Sequence, residues 1–181
     1  VRQALILMYD FEWANRVLFR GAFTRTRSYF QNTDIAANAP PSARERAFLA
    51  KYADELPAEA LHRAHLPPKS DGSGRDRRHL RRALDLLAKA GWRMKDGAMR
   101  NVRTGRPLAF TVLSRSSAPQ MVLGHWFKAL ARIGVRARLQ VVDGSVYYDR
   151  LLKRRFDVIQ RFTIPSRWPG AELKTAWHST G

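Results

Sequence analysis

Cysteine is missing altogether from the 181 residues, which excludes disulfides, thiol catalysis and thiolate metal sites within them. Acidic side chains are scarce: 15 Asp and Glu stand against 33 Lys and Arg, a formal net charge of +18. An excess of that size attracts phosphate, anionic lipid heads or acidic ligands over about a Debye length. Most of the basic residues are Arg spread through every segment, which also fits an Arg-rich proteome decorating solvated faces. Long apolar runs are absent too. The longest near the start, Ala4-Leu5-Ile6-Leu7-Met8, is far too short to span a bilayer. No succession of basic, apolar and small-residue segments marks a signal peptide. No initiator Met opens the chain, and His178-Ser179-Thr180-Gly181 closes it directly after an amphipathic segment. Both ends read as cuts, so the missing targeting signals leave the parent protein's location open.

Catalytic motifs are equally scarce. His62, His65, His79, His125 and His178 are dispersed, and none sits in an HExxH or nucleophile-elbow setting. His62 and His65 have helical spacing but no third ligand at usable distance, so they read as a solvated pair rather than a metal site. Nothing points to a cofactor. Gly72-Ser73-Gly74 lacks the Lys-Ser or Lys-Thr of a phosphate-cradling loop and does not follow a strand. It reads as a linker.

What is present argues for a folded α/β chain, since 45% of the residues are hydrophobic and 10% aromatic. Residues 1–8 begin inside a helix, and Asp10 can cap a second one through Phe11, Ala14, Asn15, Leu18 and Phe19, ended by Gly21. Residues 36–75 form a connector carrying Pro40, Pro41, Pro57, Pro67 and Pro68, with single helical turns at 43–49 and 57–63. Residues 76–161 are the organising stretch. Leu80, Ala83, Leu84, Leu87 and Ala88 recur at helical spacing between Asp76, a capping residue, and Gly91. Lys95-Asp96-Gly97 is a tight turn and Thr104-Gly105-Arg106-Pro107 a second break. Residues 108–114, 135–142 and 156–161 read as strands, 121–133 and 145–153 as helices. Strand, helix, strand, helix, strand is the pattern of a mostly parallel sheet flanked by helices.

Three stretches carry candidate functional residues. Arg75, Arg77, Arg78, Arg81 and Arg82 form the densest basic cluster and could line a phosphate backbone, although Asp76 and Asp85 stand among them and no aromatics interleave. Residues 23–33 mix aromatics and hydroxyls, including Ser28-Tyr29-Phe30, as ligand-facing loops often do. Arg161, Phe162, Arg167 and Trp168 follow the third strand, at the end of an α/β sheet where ligand crevices lie. Each loop could equally tuck its aromatics into the core.

Four segments resemble the extracellular solute-binding family 5, the oligopeptide-binding class of ABC-importer proteins. They are Val1-Arg2-Gln3-Ala4 with Asp10 downstream, residues 77–92 ending Ala-Gly-Trp, Asp96-Gly97 through Gly105-Arg106-Pro107-Leu108, and residues 130–135 followed by Phe156-Asp157. Phe11-Glu12-Trp13-Ala14-Asn15, Tyr29-Phe30-Gln31-Asn32-Thr33 and Pro67-Pro68-Lys69-Ser70-Asp71-Gly72-Ser73-Gly74 resemble the subgroup that captures oligopeptides and the peptide-nucleotide antibiotic microcin C.

The resemblance implies one lobe of a type II periplasmic-binding-protein fold, with 1–181 a single partial domain, the second lobe of a two-lobed protein. It implies no enzyme, no cofactor and no nucleic-acid partner. The full-length protein would be a periplasmic monomer whose signal peptide lies on the missing N-terminal part. It would bind a peptide or peptide-like ligand and deliver it to an ABC permease in the inner membrane, closing because contacts with both lobes favour the closed state. Arg161, Phe162, Arg167, Trp168 and the Ser28-Tyr29-Phe30 loop would contact the ligand.

One departure matters. Dipeptide and oligopeptide binders carry an aspartate after the third strand that pairs with the peptide's free amine; Pro165 stands at about that position, and no acidic residue occurs from Gln160 to Gly170. A free amine would lack its counter-charge, whereas Arg161 and Arg167 favour an anionic or blocked group. A basic nucleic-acid-binding domain using the 75–82 helix is the alternative, and a remnant without ligand a third reading.

Overall fold

The computed structural model describes residues 1–37, 39–64, 66–161 and 167–178. The chain divides into two compact units, Val1–Phe23 with Pro68–Phe162, and Thr24–Pro67 with Thr163–Gly181.

The first unit opens with α1 (Arg2–Leu7) and α2 (Phe11–Leu18). Asp10 separates them because its carboxylate accepts from the backbone N–H of Trp13 at 2.8 Å, satisfying a donor the helix start leaves free. After a second-unit segment carrying α3 (Ala43–Leu49), the chain returns as α4 (Arg77–Lys89). Asp76 caps α4 by accepting from the N–H groups of Arg78 and His79. The apolar stripe of α4 faces inward, with Ala83 and Leu87 fully buried.

A hairpin follows, β1 (Trp92–Lys95) and β2 (Ala98–Asn101), paired antiparallel about Asp96-Gly97. The sequence reading had the turn but not the strands. Charged residues at alternate positions dilute the apolar signal, although Trp92-Arg93-Met94-Lys95 before Asp-Gly is a hairpin pattern. Then come β3 (Ala109–Ser114), α5 (Gln120–Ala131), β4 (Arg136–Val141), α6 (Gly144–Leu152) and β5 (Val158–Ile159). All three of these strands pair parallel in the order β4-β3-β5. The third strand is shorter than the expected 156–161: Asp157 accepts from the Thr111 N–H through its side chain instead of continuing the ladder.

One hydrophobic core joins α1, α4, α5, the hairpin and the sheet. Leu7, Leu87, Met99, Leu130, Ile133 and Val135 are buried in it, and Trp126 packs beside them while donating its indole N–H to the Leu5 carbonyl at 3.0 Å. Each fully buried Leu or Ile contributes about 1.5–3 kcal/mol relative to exposure. Gly134 lets the α5 end meet the hairpin: it adopts φ +69°, and a Cβ there would lie 2.5 Å from the Met99 backbone nitrogen. Its carbonyl accepts from that same N–H at 2.8 Å.

The second unit contains α3, two short 3-10 turns (Ala50–Tyr52 and Ala58–Leu61) and, near the chain end, α7 (Ala171–Trp177). Ser42 and Glu45 close a reciprocal capping box on α3. Among its described residues none is buried.

Candidate ligand-binding site

Strand order β4-β3-β5 means that the chain leaves β3 to one side and comes back to the other. In α/β sheets, ligands settle outside the carboxyl ends of the strands at such a reversal. Ser114 ends β3 and is fully buried. Its hydroxyl lies 2.8 Å from the Ser116 carbonyl and 3.2 Å from the Gln160 side chain, which follows β5. The hydroxyl has one proton, so the shorter contact to the Ser116 carbonyl is the stronger bond and the Gln160 side-chain oxygen is the weaker acceptor. Tyr147 of α6, itself buried, donates its phenol to the Gln160 carbonyl at 2.8 Å. Gln160 is thereby held at both ends. Beside it, exposed Arg115 donates to the Tyr148 hydroxyl at 3.1 Å and lies 5.9 Å from that ring's centroid. The exposed groups here are the Ser116 and Tyr148 hydroxyls and the Arg115 and Arg161 guanidinium ions, donors suited to carbonyl or anionic oxygens.

Arg161, expected at this sheet end, is there: it follows Gln160 directly and is exposed. Phe162 lies outside the described residues, as do Pro165 and its neighbours. Arg167 and Trp168 belong to the second unit, ahead of α7, and both are exposed. So do Ser28, Tyr29 and Phe30. Ser28 spends its hydroxyl oxygen on the loop itself, accepting from the Phe30 and Ala37 N–H groups at 3.2 and 3.0 Å. Tyr29 meets Phe30 and Trp177 edge-on, with centroids 5.0 and 5.9 Å away. The sequence reading missed Ser114, Gln160, Tyr147 and Trp177. Ser114-Arg115-Ser116-Ser117 directly after a strand was the available signal; the Tyr147 contact has none in the sequence.

Elsewhere in the first unit, two segments of the quoted resemblance meet. Asp10 is buried and accepts from the Ser70 hydroxyl at 2.5 Å and the Gly74 N–H at 2.8 Å. Glu12 accepts from the Ser70 N–H at 3.0 Å, while Arg16 and Arg132 donate to the Gly72 and Gly74 carbonyls. Gly72-Ser73-Gly74 is therefore no loose linker. Both glycines are buried, and a Cβ on Gly74 would come 2.9 Å from the Trp13 ring. Trp13 in turn stacks on His125 at 3.9 Å. Burial lowers the His125 pKa, Asp10 opposing and Arg132 and Lys128 assisting. For Asp76, burial raises the pKa, but N–H bonds from His79, Asp71 and Arg78 and the His79 charge outweigh it and leave it lowered. His65 lies outside the described residues, so the His62/His65 pair is not placed.

Parallel strands flanked by helices, with the order reversing at β3, define one lobe of a type II periplasmic-binding-protein fold. The AppA oligopeptide-binding protein of Bacillus subtilis, solved with a nonapeptide, shares the fold with a TM-score of 0.63 at 18% identity, over 99% of this chain and 30% of that one. The sequence model of the bacterial extracellular solute-binding proteins, family 5 Middle, matches residues 1–181, and the chain belongs to that family. It is 38% identical to the YejA protein of Escherichia coli K12 over 99% of its length and 30% of that protein's. To the peptidoglycan-binding protein YepA of Agrobacterium fabrum it is 37% identical, over 99% of this chain and 29% of YepA. The chain thus spans about 30% of the length of the curated relatives it matches.

Proposed function

We propose that the full-length protein is the substrate-binding component of an ABC importer, capturing oligopeptides or a peptide-like conjugate in the periplasm. Membership of family 5 across the whole chain carries this reading. The described residues would be part of the second lobe, 1–181 as one partial domain with 76–161 the helix and βαβαβ core; of the connector expected over 36–75, residues 68–75 pack with the first unit instead. The protein binds and releases; it does not catalyse. It works as a monomer that hands its ligand to a membrane permease, and microcin C-like conjugates fall within its ligand class.

The ligand is held by something other than a free amine. The groups at the β3 and β5 ends, Ser114, Arg115, Ser116, Gln160 and Arg161, are neutral or cationic, and no acidic residue stands between Gln160 and Gly170. A carboxylate, a phosphate or a blocked N-terminus suits them. Peptidoglycan, which the Agrobacterium relative is named for binding, is a glycan carrying short peptides, and its fragments offer such groups. Arg161, Phe162, Arg167 and Trp168 contact the ligand, with Tyr29 and Phe30 adding aromatic surface on a loop tied by Ser28.

Isothermal titration of the full-length protein tests this, using a free peptide, its N-blocked form, a peptide-nucleotide conjugate and a short oligonucleotide at two salt concentrations. The blocked or conjugated peptide binds at least as well as the free one, with little salt dependence. Arg161→Ala weakens it by about 1.5–3 kcal/mol, the worth of a hydrogen bond to a charged group. A strong preference for the free amine sinks the ligand assignment. Oligonucleotide binding that collapses with salt, without any peptide signal, sinks the importer reading.

A further inference from the structure

The hairpin carries a charge arrangement that solute capture does not use. Its register sets Arg93 directly opposite Arg100 and Met94 opposite Met99. The chain then comes back along β2: the Asn101 N–H donates to the Arg106 carbonyl at 3.0 Å, the Leu108 N–H donates to the Met99 carbonyl at 2.7 Å, and Arg100 bridges to Pro107. Trp92, Met99 and Leu108 belong to the core side of this ribbon. Strand alternation therefore places Arg93, Lys95 and Arg100 on the outer side. Arg103 and Arg106 stand in the return turn and are exposed, as are Arg93 and Lys95.

Five cations thus occupy residues 93–106 against one acid, Asp96. Among the described residues, none of the five stands in a salt bridge with a carboxylate. Arg100 spends one donor on the Gly105 carbonyl at 3.0 Å. Like charges directly opposite one another destabilise a ladder unless an anion lies between them.

We propose that this ribbon docks the protein on an anionic phospholipid surface. Anionic headgroups attract clustered cations, and Arg93 and Lys95 stand about 7 Å apart on one side of the strand. Val102, 64% exposed beside Arg103, supplies an apolar side chain at the interface. Single-stranded nucleic acid fits less well: it is gripped by aromatic stacking, and Trp92 of the ribbon packs against the core.

The test is vesicle co-sedimentation of the full-length protein, with phosphatidylcholine alone and with about one-third phosphatidylglycerol. Binding appears with the anionic vesicles only and falls as salt rises. R93Q/R100Q lowers partitioning about 25-fold, and Arg93→Gln alone about fivefold. R136Q/R138Q, which removes the same charge from the edge strand β4, changes it less than about threefold, inside the effect of one interfacial cation. Because R93Q/R100Q removes a repulsive pair, its Tm does not fall, and the single variant gives a second reading should it fold poorly. Equal losses in both double variants, no loss in R93Q/R100Q, equal binding to neutral vesicles, or binding to an oligonucleotide without binding to vesicles overturns the proposal.

Discussion

Replacing Asp10 with alanine tests whether the contact between α2 and residues 70–74 holds the first unit together. Asp10 Oδ1 caps α2 through the Trp13 N–H and also receives the Ser70 hydroxyl, and Oδ2 receives the N–H of buried Gly74. Loss of the cap costs about 1 kcal/mol. The orphaned Gly74 N–H adds about 1–3 kcal/mol, the cost of leaving a buried donor without its acceptor. Ser70 adds little, because Glu12 stands 2.7 Å from the same hydroxyl and can accept its proton. The expected destabilisation is about 2–4 kcal/mol. Urea unfolding of the full-length protein, followed by tryptophan fluorescence, reads it as a lowered midpoint with the slope unchanged. Asp10→Asn keeps an oxygen for the cap and the Ser70 hydroxyl but turns a donor toward the Gly74 N–H, so it recovers about 1 kcal/mol and no more. A midpoint for Asp10→Ala within about 0.5 kcal/mol of wild type would refute the reasoning, because that is the range of surface substitutions away from such features.

Two further outcomes follow from the same packing. Gly134→Ala forces a Cβ to within 2.5 Å of the Met99 nitrogen at φ +69°, so thermal melting records a loss of about 3 kcal/mol or more, against about 1–2 for the backbone conformation alone. The folded state holds His125 below its ordinary pKa, so the unfolded chain binds the extra proton first and stability drops as pH falls below about 6.5. His125→Phe keeps a ring against Trp13 without the proton, and its Tm declines less between neutral and mildly acidic pH; identical declines would remove His125 as the cause.

Local signals were enough for most of the elements. Asp10 and Asp76 are short acceptors ahead of helical stripes, and both cap the helices they precede. The alternation of strands and helices after residue 108 is carried by β-branched runs and periodic apolar positions, which depend on near neighbours only. Composition was enough to exclude thiol chemistry, and quoted segments were enough to reach the family. Strand pairing was not legible there. That β5 lies beside β3 rather than β4 is a matter of tertiary pairing, and this order puts Ser114 next to Gln160, 46 residues away. Gly72-Ser73-Gly74 looked like a linker because glycine and serine are flexible in isolation. Only the fold brings Asp10, Glu12 and Trp13 against it, and burial then turns each free amide into a bond that has to be made. Periodicity along the chain records which faces are apolar; which faces meet is a property of the packed molecule.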